Sequence, residues 1–294
     1  MSIVVTGATG QLGRLVVEDL LAHGVPAAEI VAAGRRVERL ADLAGRGVRV
    51  VPIDLARPES LAPALAGADT LLLVSGTELG HRVAQHTAAV RAAVAAGVRR
   101  VVYTSAPHAD TSALVLAPEH KATEEVLRAS GLVVTILRNN WYTENYLGVL
   151  DQARAAGEVV ASVGDGRVAS ASRADFAAAA SVVLRTSTYD GAVLELAGDE
   201  AWDHHALARA VGEVLGREVA YRAVDPAEHR AALLAAGLDE GTAGFLVALD
   251  GNIRDGLLAE AGGISAVTGR PTTPLVETLR EAVAAAGPAA PAPP

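Results

Sequence analysis

Ile3-Val4-Val5-Thr6-Gly7-Ala8-Thr9-Gly10-Gln11-Leu12-Gly13 decides the fold of this chain. The apolar run Ile3-Val4-Val5 predicts a buried strand. A Gly-x-x-Gly-x-x-Gly turn follows, and Leu15-Val16-Val17-Glu18-Asp19-Leu20-Leu21 continues as a helix. Strand, glycine turn and helix in that order build a dinucleotide site at a helix N-terminus. Gly7 permits the tight turn, Gly10 lets the backbone approach a pyrophosphate, and Gly13 lets helix pack closely on strand. Free N–H groups and the positive helix end attract the phosphates. Thr9, Gln11 and Leu12 share the loop and count among the expected cofactor contacts. The bland alternative is a tight strand-to-helix connection without a ligand.

The second strand, Glu29-Ile30-Val31-Ala32-Ala33-Gly34, runs into Arg35-Arg36. A site that prefers NAD places an acid here to bind the ribose 2′-hydroxyl. No acid stands between Glu29 and Glu38. A guanidinium instead holds a 2′-phosphate by charge-assisted hydrogen bonds. The expected cofactor is therefore NADP(H), with Arg35 the better reader and Arg36 the second. The competing reading makes both arginines a solvated start to the next helix.

Further along, β-branched runs alternate with alanine-rich helical stretches. Arg49–Ile53, Thr70–Val74, Val101–Tyr103 and Val133–Leu137 read as strands, and Leu61–Leu65, Val83–Ala96 and Glu119–Ala129 as helices. The alternation predicts an α/β fold with a doubly wound parallel sheet. Ligands then sit beyond the carboxyl ends of the strands. That rule nominates Asp54 and Leu55 beside the adenine, Ser75 and Gly76 near the ribose, and Tyr103-Thr104-Ser105 near the nicotinamide. Past residue 140 the rhythm loosens. The expected organisation is a dinucleotide domain over 1–140, completed by parts of 160–198, and a smaller α+β lobe, mostly for substrate, over 141–286. A Pro/Ala tail at 287–294 is expected to be disordered.

The chain has 294 residues, a net charge of −9 and no cysteine. The negative charge argues against nucleic acid and anionic membranes. Absent thiols exclude disulfides, thiolate metal sites and a cysteine nucleophile. No apolar run is long enough to span a bilayer and no leader precedes the first strand, which favours the cytoplasm. Alanine-rich helix faces serve a core and a homo-oligomer interface equally well, so oligomeric state stays open.

Several chemistries find no support. His204-His205 are adjacent, point about 100° apart on a helix and make a poor chelate. They read as a solvated helix start. His108, Asp110 and His120 lack metal-ligand spacing, so no metal is expected. His81 and His86 read as surface helix residues, and Glu124-Glu125 as a solvated face. No Gly-x-Ser-x-Gly elbow is present.

A resemblance rests on Val5–Gly13, Tyr103-Thr104-Ser105, His108–Ser112, Leu137-Arg138-Asn139-Asn140-Trp141-Tyr142-Thr143-Glu144-Asn145-Tyr146, Ala169–Asp175, Glu195–Asp199 and Gly269–Thr273. The glycine loop is common to many families, whereas the Asn-Asn-Trp-Tyr and Ser-Arg-Ala-Asp segments are specific. The chain resembles the NmrA-like branch of the atypical short-chain dehydrogenases/reductases. Within it, the chain is most similar to the bacterial type 2 NAD(P)H:quinone oxidoreductases. The resemblance covers nearly everything but the tail. It implies reduction of a quinone by NADPH without flavin, with Asn139–Glu144 and Arg173 on the cofactor site and Ser75–Thr77 beside ribose and nicotinamide.

One departure from the wider superfamily shapes the expected mechanism. Ordinary short-chain dehydrogenases move a proton with Tyr-x-x-x-Lys. The single lysine, Lys121, has Ala117 four residues before it, and Tyr103 has Pro107 four residues after it. Direct hydride transfer to a conjugated acceptor needs that relay least, because water can protonate the stabilised anion. Tyr142, Ser105 and His120 are the candidates for assistance. Reduction of a triphenylmethane dye, an imine or an enone is the alternative chemistry, and a non-catalytic NADP-binding redox sensor the alternative class.

Overall fold

The computed structural model describes residues 2–286; the tail at 287–294 lies outside the described residues. Its strands are β1 (Ile3–Val5), β2 (Ile30–Gly34), β3 (Arg49–Pro52), β4 (Thr70–Leu73), β5 (Arg100–Ser105), β6 (Val133–Asn139), β7 (Glu158–Ala161), β8 (Arg167–Val168), β9 (Val193–Leu196), β10 (Trp202–Asp203) and β11 (Ala220–Ala223). Its helices are α1 (Gln11–Ala22), α2 (Ala41–Gly45), α3 (Leu61–Leu65), α4 (Arg82–Ala95), α5 (Ala117–Arg128), α6 (Leu147–Ala156), α7 (Arg173–Arg185), α8 (His204–Leu215), α9 (Pro226–Ala235), α10 (Glu240–Arg254), α11 (Ile264–Thr268) and α12 (Leu275–Ala286).

Seven strands form one parallel sheet in the order β3-β2-β1-β4-β5-β6-β9. This is the doubly wound, Rossmann-like arrangement expected from the sequence. Strand side chains alternate between two apolar layers, because successive residues face opposite sides of the pleat. Ile3, Val5, Leu72 and Val102 pack with Val16, Val17 and Leu20 of α1 and Phe176 and Ala180 of α7. Val4, Leu71, Leu73 and Val101 pack with Leu65 of α3, Val90 of α4 and Leu127 of α5.

The chain winds outward from β1 to β3, then restarts at β4 on the other side of β1. That reversal opens a crevice between the carboxyl ends of β1 and β4. Thr6 stitches the crevice floor. Its hydroxyl donates to Leu72 O at 3.1 Å and accepts from Val74 N at 2.9 Å.

A third apolar cluster gathers Leu150, Ala153, Val159, Trp202, Leu207, Val211, Ile253 and Leu279. Around it lie the parallel pair β7–β11 and the antiparallel pair β8–β10. Gly157 ends α6 in the left-handed region, with φ 74°. The chain does not stay in this lobe. α7 and β9 return to the sheet, and so does Ile264 of α11.

One buried ion pair joins four elements on the sheet. Arg138 on β6 makes a two-pronged contact with Glu124 of α5, at 2.9 and 2.7 Å. Its other nitrogen reaches Glu195 of β9 at 2.9 Å. Ser105 at the end of β5 donates to Glu124 at 2.6 Å. The Glu124 side chain has 0% exposure and that of Arg138 5%, so Glu124 is not on a solvated face. Glu125, its neighbour, is exposed.

Removing one partner of such a pair leaves an uncompensated buried charge. Arg138→Met is expected to lower unfolding free energy by about 3–5 kcal/mol, measured by urea titration. Glu124→Leu combined with Arg138→Met should recover much of that loss.

Candidate functional site

The glycine loop follows from its residues. Gly7 adopts φ +65°, and Gly10 N donates to Gly7 O at 2.9 Å. A Cβ on Gly13 would stand 2.5 Å from Gly7 O, so only glycine lets α1 begin this close to the turn. Gly34 is also close to the loop, because a Cβ there would meet the Thr9 side chain at 2.6 Å and require it to move. No side chain caps α1 and no acid occupies its first turn. Its leading N–H groups thus face the crevice without a side-chain acceptor, which suits an anionic ligand.

Above the loop lies a cleft of about 1000 Å³. Gly7, Thr9, Gly10, Gln11, Leu12, Gly13, Arg35, Arg36, Asp54, Leu55, Ser75, Gly76 and Thr77 line one part of it. Ser105, His120, Asn139, Asn140, Trp141, Tyr142 and Arg173 line the other. The candidates drawn from distant parts of the sequence therefore meet on one surface. Arg35 stands beside Glu78, with Nη1 and Oε1 3.1 Å apart, and remains 62% exposed.

Three groups that the sequence did not nominate fix the Ser75–Thr77 loop. Gly76 N donates to His86 Nε2 at 3.0 Å, while Arg82 Nε donates to Gly76 O at 2.8 Å. Arg82 is in turn paired with Glu119 at 2.9 Å. Both backbone groups of Gly76 are thereby held. His86 is fully buried, not a surface residue. Positions 82, 86, 89, 90 and 93 form the inner face of α4. His81 is exposed.

At the ends of β5 and β6 the side chains are committed differently. The Ser105 hydroxyl hydrogen is engaged by Glu124. Burial opposes the charge on Glu124, yet hydrogen bonds from Arg138 and Ser105 outweigh it and hold the carboxyl below its usual range. Tyr103 does not reach the cleft; it is fully buried beneath the sheet end. Asn140 lines the cleft while its amide clamps the lobe, donating to Leu258 O at 3.2 Å. Trp141 both lines the cleft and packs on the lobe's apolar cluster.

Tyr142 stacks edge-on against Phe176, and the Arg173 guanidinium lies 4.9 Å from its ring centre. Its hydroxyl accepts from Asn139 Nδ2 at 3.3 Å. Burial is the main force raising its pKa, so the phenol keeps its proton at neutral pH. Arg173 donates to Asn145 Oδ1 at 2.7 Å and its N–H to Glu144 at 2.8 Å. Ser172 caps α7, accepting from Asp175 N and donating to Asp175 Oδ2.

The lobe closes the cleft with Phe245 and Leu258, helped by Leu114 and Leu116 from the loop before α5. None was nominated from sequence, and no local motif marks them. His204 also departs from the solvated helix start expected for it. Asp203 is the cap of α8, and His204 is buried against Tyr146, Trp202 and Tyr221. His205 is exposed as expected. Among the described residues no helix is long and apolar enough to cross a membrane.

The NmrA-like family profile matches residues 1–245. Quinone oxidoreductase 2 of Escherichia coli (strain K12) is 44% identical over 278 residues, covering 94% of this chain and 97% of that protein. The crystal structure of E. coli NADPH-dependent quinone oxidoreductase QOR2 complexed with NADPH superposes with TM-score 0.91 at 43% identity, over 95% of this chain and 99% of that one. Triphenylmethane reductase of Citrobacter sp., complexed with NADP(H), superposes with TM-score 0.90 at 36% identity, over 96% and 100%.

Three buried imidazoles make stability depend on pH. Burial, helped by Arg82, lowers His86 and His120 to about 3, and burial, opposed by the nearby carboxylates of Asp250 and Asp203, lowers His204 to about 4, from an ordinary 6.5. The unfolded chain takes up these protons near 6.5, whereas the folded protein refuses them until far lower. Stability from this source is complete above 6.5 and is lost as pH falls toward the folded values. Each group contributes a slope of about 1.4 kcal/mol per pH unit within that window. Denaturant titrations from neutral pH downward should give a slope of up to about three protons. His204→Phe should remove one of them.

Proposed function

The chain belongs to the NmrA-like family, and from that premise we propose that it is an NADPH-dependent quinone oxidoreductase. The observation that carries the reading is one continuous cleft. It runs from an uncapped helix N-terminus with two arginines to an apolar end under the 141–286 lobe. When bound, NADPH supplies the hydride. Gly7–Gly13 hold the pyrophosphate, Arg35 with Arg36 reads the 2′-phosphate, and Asp54 and Leu55 lie beside the adenine. Ser75–Thr77, Asn139–Tyr142 and Arg173 surround the ribose and nicotinamide. The lobe acts as the substrate lobe, and the setting is cytoplasmic.

Pro107, Leu114, Leu116, Trp141, Phe245 and Leu258 make the acceptor end apolar. Such walls exclude water and orient a flat conjugated ring. Asp54 and Glu78 are the carboxylates among the cleft-lining residues, and both belong to the cofactor part. A cationic dye would find no counter-charge at the apolar end, which favours a neutral quinone. The test is NADPH oxidation with a small quinone, flavin excluded, beside a triphenylmethane dye. Turnover of the quinone supports the reading. Cofactor binding without turnover of any acceptor overturns it in favour of a redox sensor.

Two substitutions probe the roles. Arg35→Ala should weaken NADPH binding about tenfold to a hundredfold, through loss of a charge-assisted contact, and leave NADH binding nearly unchanged. Equal losses in titrations with both cofactors would remove Arg35 from 2′-phosphate recognition. Tyr142→Phe should retain quinone turnover within about tenfold, because loss of an obligatory general acid costs about a hundredfold or more. Stopped-flow NADPH oxidation measures the difference.

A further inference from the structure

The cleft wall carries a polar side chain that the cofactor assignments leave unused. His120 on α5 is 5% exposed and lines the cleft near Ala106, Leu114 and Leu116. Its Nδ1 stands 2.8 Å from the Tyr103 hydroxyl. Among the described residues its Nε2 has no hydrogen-bond partner, yet it is not sealed from the cleft.

The tautomer follows from the neighbours. Thr123 Oγ1 also neighbours the Tyr103 hydroxyl, but its proton goes to Glu119 O at 2.9 Å and it already meets His86 Nδ1 at 3.1 Å, whereas the Tyr103–His120 contact is the shorter at 2.8 Å. His86 Nε2 accepts from Gly76 N, so His86 carries its proton on Nδ1 and gives it to Thr123. The short Tyr103–His120 contact is left for the phenolic proton. A phenol is a stronger donor than a neutral imidazole N–H, and an imidazole nitrogen is the stronger acceptor. His120 then carries its own proton on Nε2.

We propose that Tyr103 holds His120 as the Nε2–H tautomer, and that this N–H donates a hydrogen bond to a carbonyl oxygen of the acceptor. This rests on the reductase reading and adds the group that receives the acceptor. His120 touches the substrate, while Tyr103 is a positioning residue acting through it. The hydride brings two electrons and one proton to the quinone, and the displaced electron pair settles on the oxygen facing Nε2. A second proton comes from water to complete the hydroquinone. The imidazole keeps its proton throughout.

The charged surroundings agree with a neutral donor. Arg82 and His86 of α4 act on the ring, while Glu119 and Glu124 of α5 act on the Tyr103 hydroxyl. Burial, with Arg82 and His86, puts His120 at about 3. Burial likewise raises Tyr103, which cannot yield its proton at neutral pH. A fixed neutral donor aimed at developing negative charge acts without reorganising.

Nitrogen NMR of the unliganded, histidine-labelled protein tests the tautomer without any turnover. The His120 Nε2 signal should be that of a protonated nitrogen, and Tyr103→Phe should shift it toward a mixture. His120→Ala should lower kcat for a small quinone about a hundredfold, as for loss of one oxyanion donor, with NADPH affinity unchanged. His120→Gln offers an amide N–H at the same reach and should restore most of that loss. Tyr103→Phe should cost about fivefold, the worth of one neutral hydrogen bond. The parent kcat should show no inflection near the ordinary histidine value of 6.5. A parent that binds NADPH but reduces no acceptor overturns the reductase reading. A parent that reduces quinone, with His120→Ala unimpaired or Nδ1 protonated, overturns this proposal alone.

Discussion

A guanidinium buried at the carboxyl end of β6 must be neutralised, and the side of the cleft next to α5 is organised by that need. Arg138 is neutralised by Glu124 from α5, Glu195 from β9 and Asp110 from the loop after β5. A buried charge without such partners would cost several kcal/mol, on the order that unfolds a domain. The pair therefore fixes how α5 is rotated on the sheet. His120 lies one helical turn before Glu124, on the same face. Turning Glu124 inward turns His120 inward too, against the end of β5 and the cleft.

The fold was legible because the strands announce themselves. Ile3–Val5, Thr70–Leu73 and Val133–Leu137 are short runs of apolar and β-branched residues, and the glycine loop marks the switch point. The cofactor-side candidates were legible for the same reason, since the rule about strand carboxyl ends is topological. The faces of α4 and α5 were not. In the alanine-rich α4 the inner and outer faces differ little in hydropathy, so His86 carried no sign of burial; Glu124 stands among the charged residues of α5, where a carboxylate reads as solvated. Their partners lie elsewhere in sequence, in Gly76 and Arg138. His204 was hidden differently. Asp203 takes the cap, which pushes His204 into the inward register of α8 with Leu207, Ala208 and Val211.

The specific family segments are explained by contacts that tie the lobe to the sheet. Asp175 is fully buried at the start of α7 and receives Arg270 at 2.8 Å and Thr273 N at 2.9 Å. Ser-Arg-Ala-Asp and Gly-Arg-Pro-Thr-Thr are two halves of one junction. Asn140 adds a second junction through Leu258, a cleft residue. The apolar end of the cleft is therefore shaped by chain that lies more than a hundred residues from the glycine loop, and its lining residues have no motif of their own.

The same contacts constrain the chemistry. The Ser105 hydroxyl already donates its hydrogen bond to Glu124. Tyr142 is held above the ordinary phenol range by burial. His120 is neutral. Lys121 is turned away, donating to Asp110 O at 3.1 Å. Tyr142 and His120 can donate hydrogen bonds or shape the cleft, but neither is poised to release a proton near neutrality. An alkoxide formed from an isolated carbonyl demands a proton as it forms, whereas a hydroquinone anion is stable enough to take one from water. A site with fixed neutral donors, dry apolar walls and no relay therefore suits acceptors whose reduced anion is delocalised, and that property separates quinones from simple ketones more sharply than size or shape does.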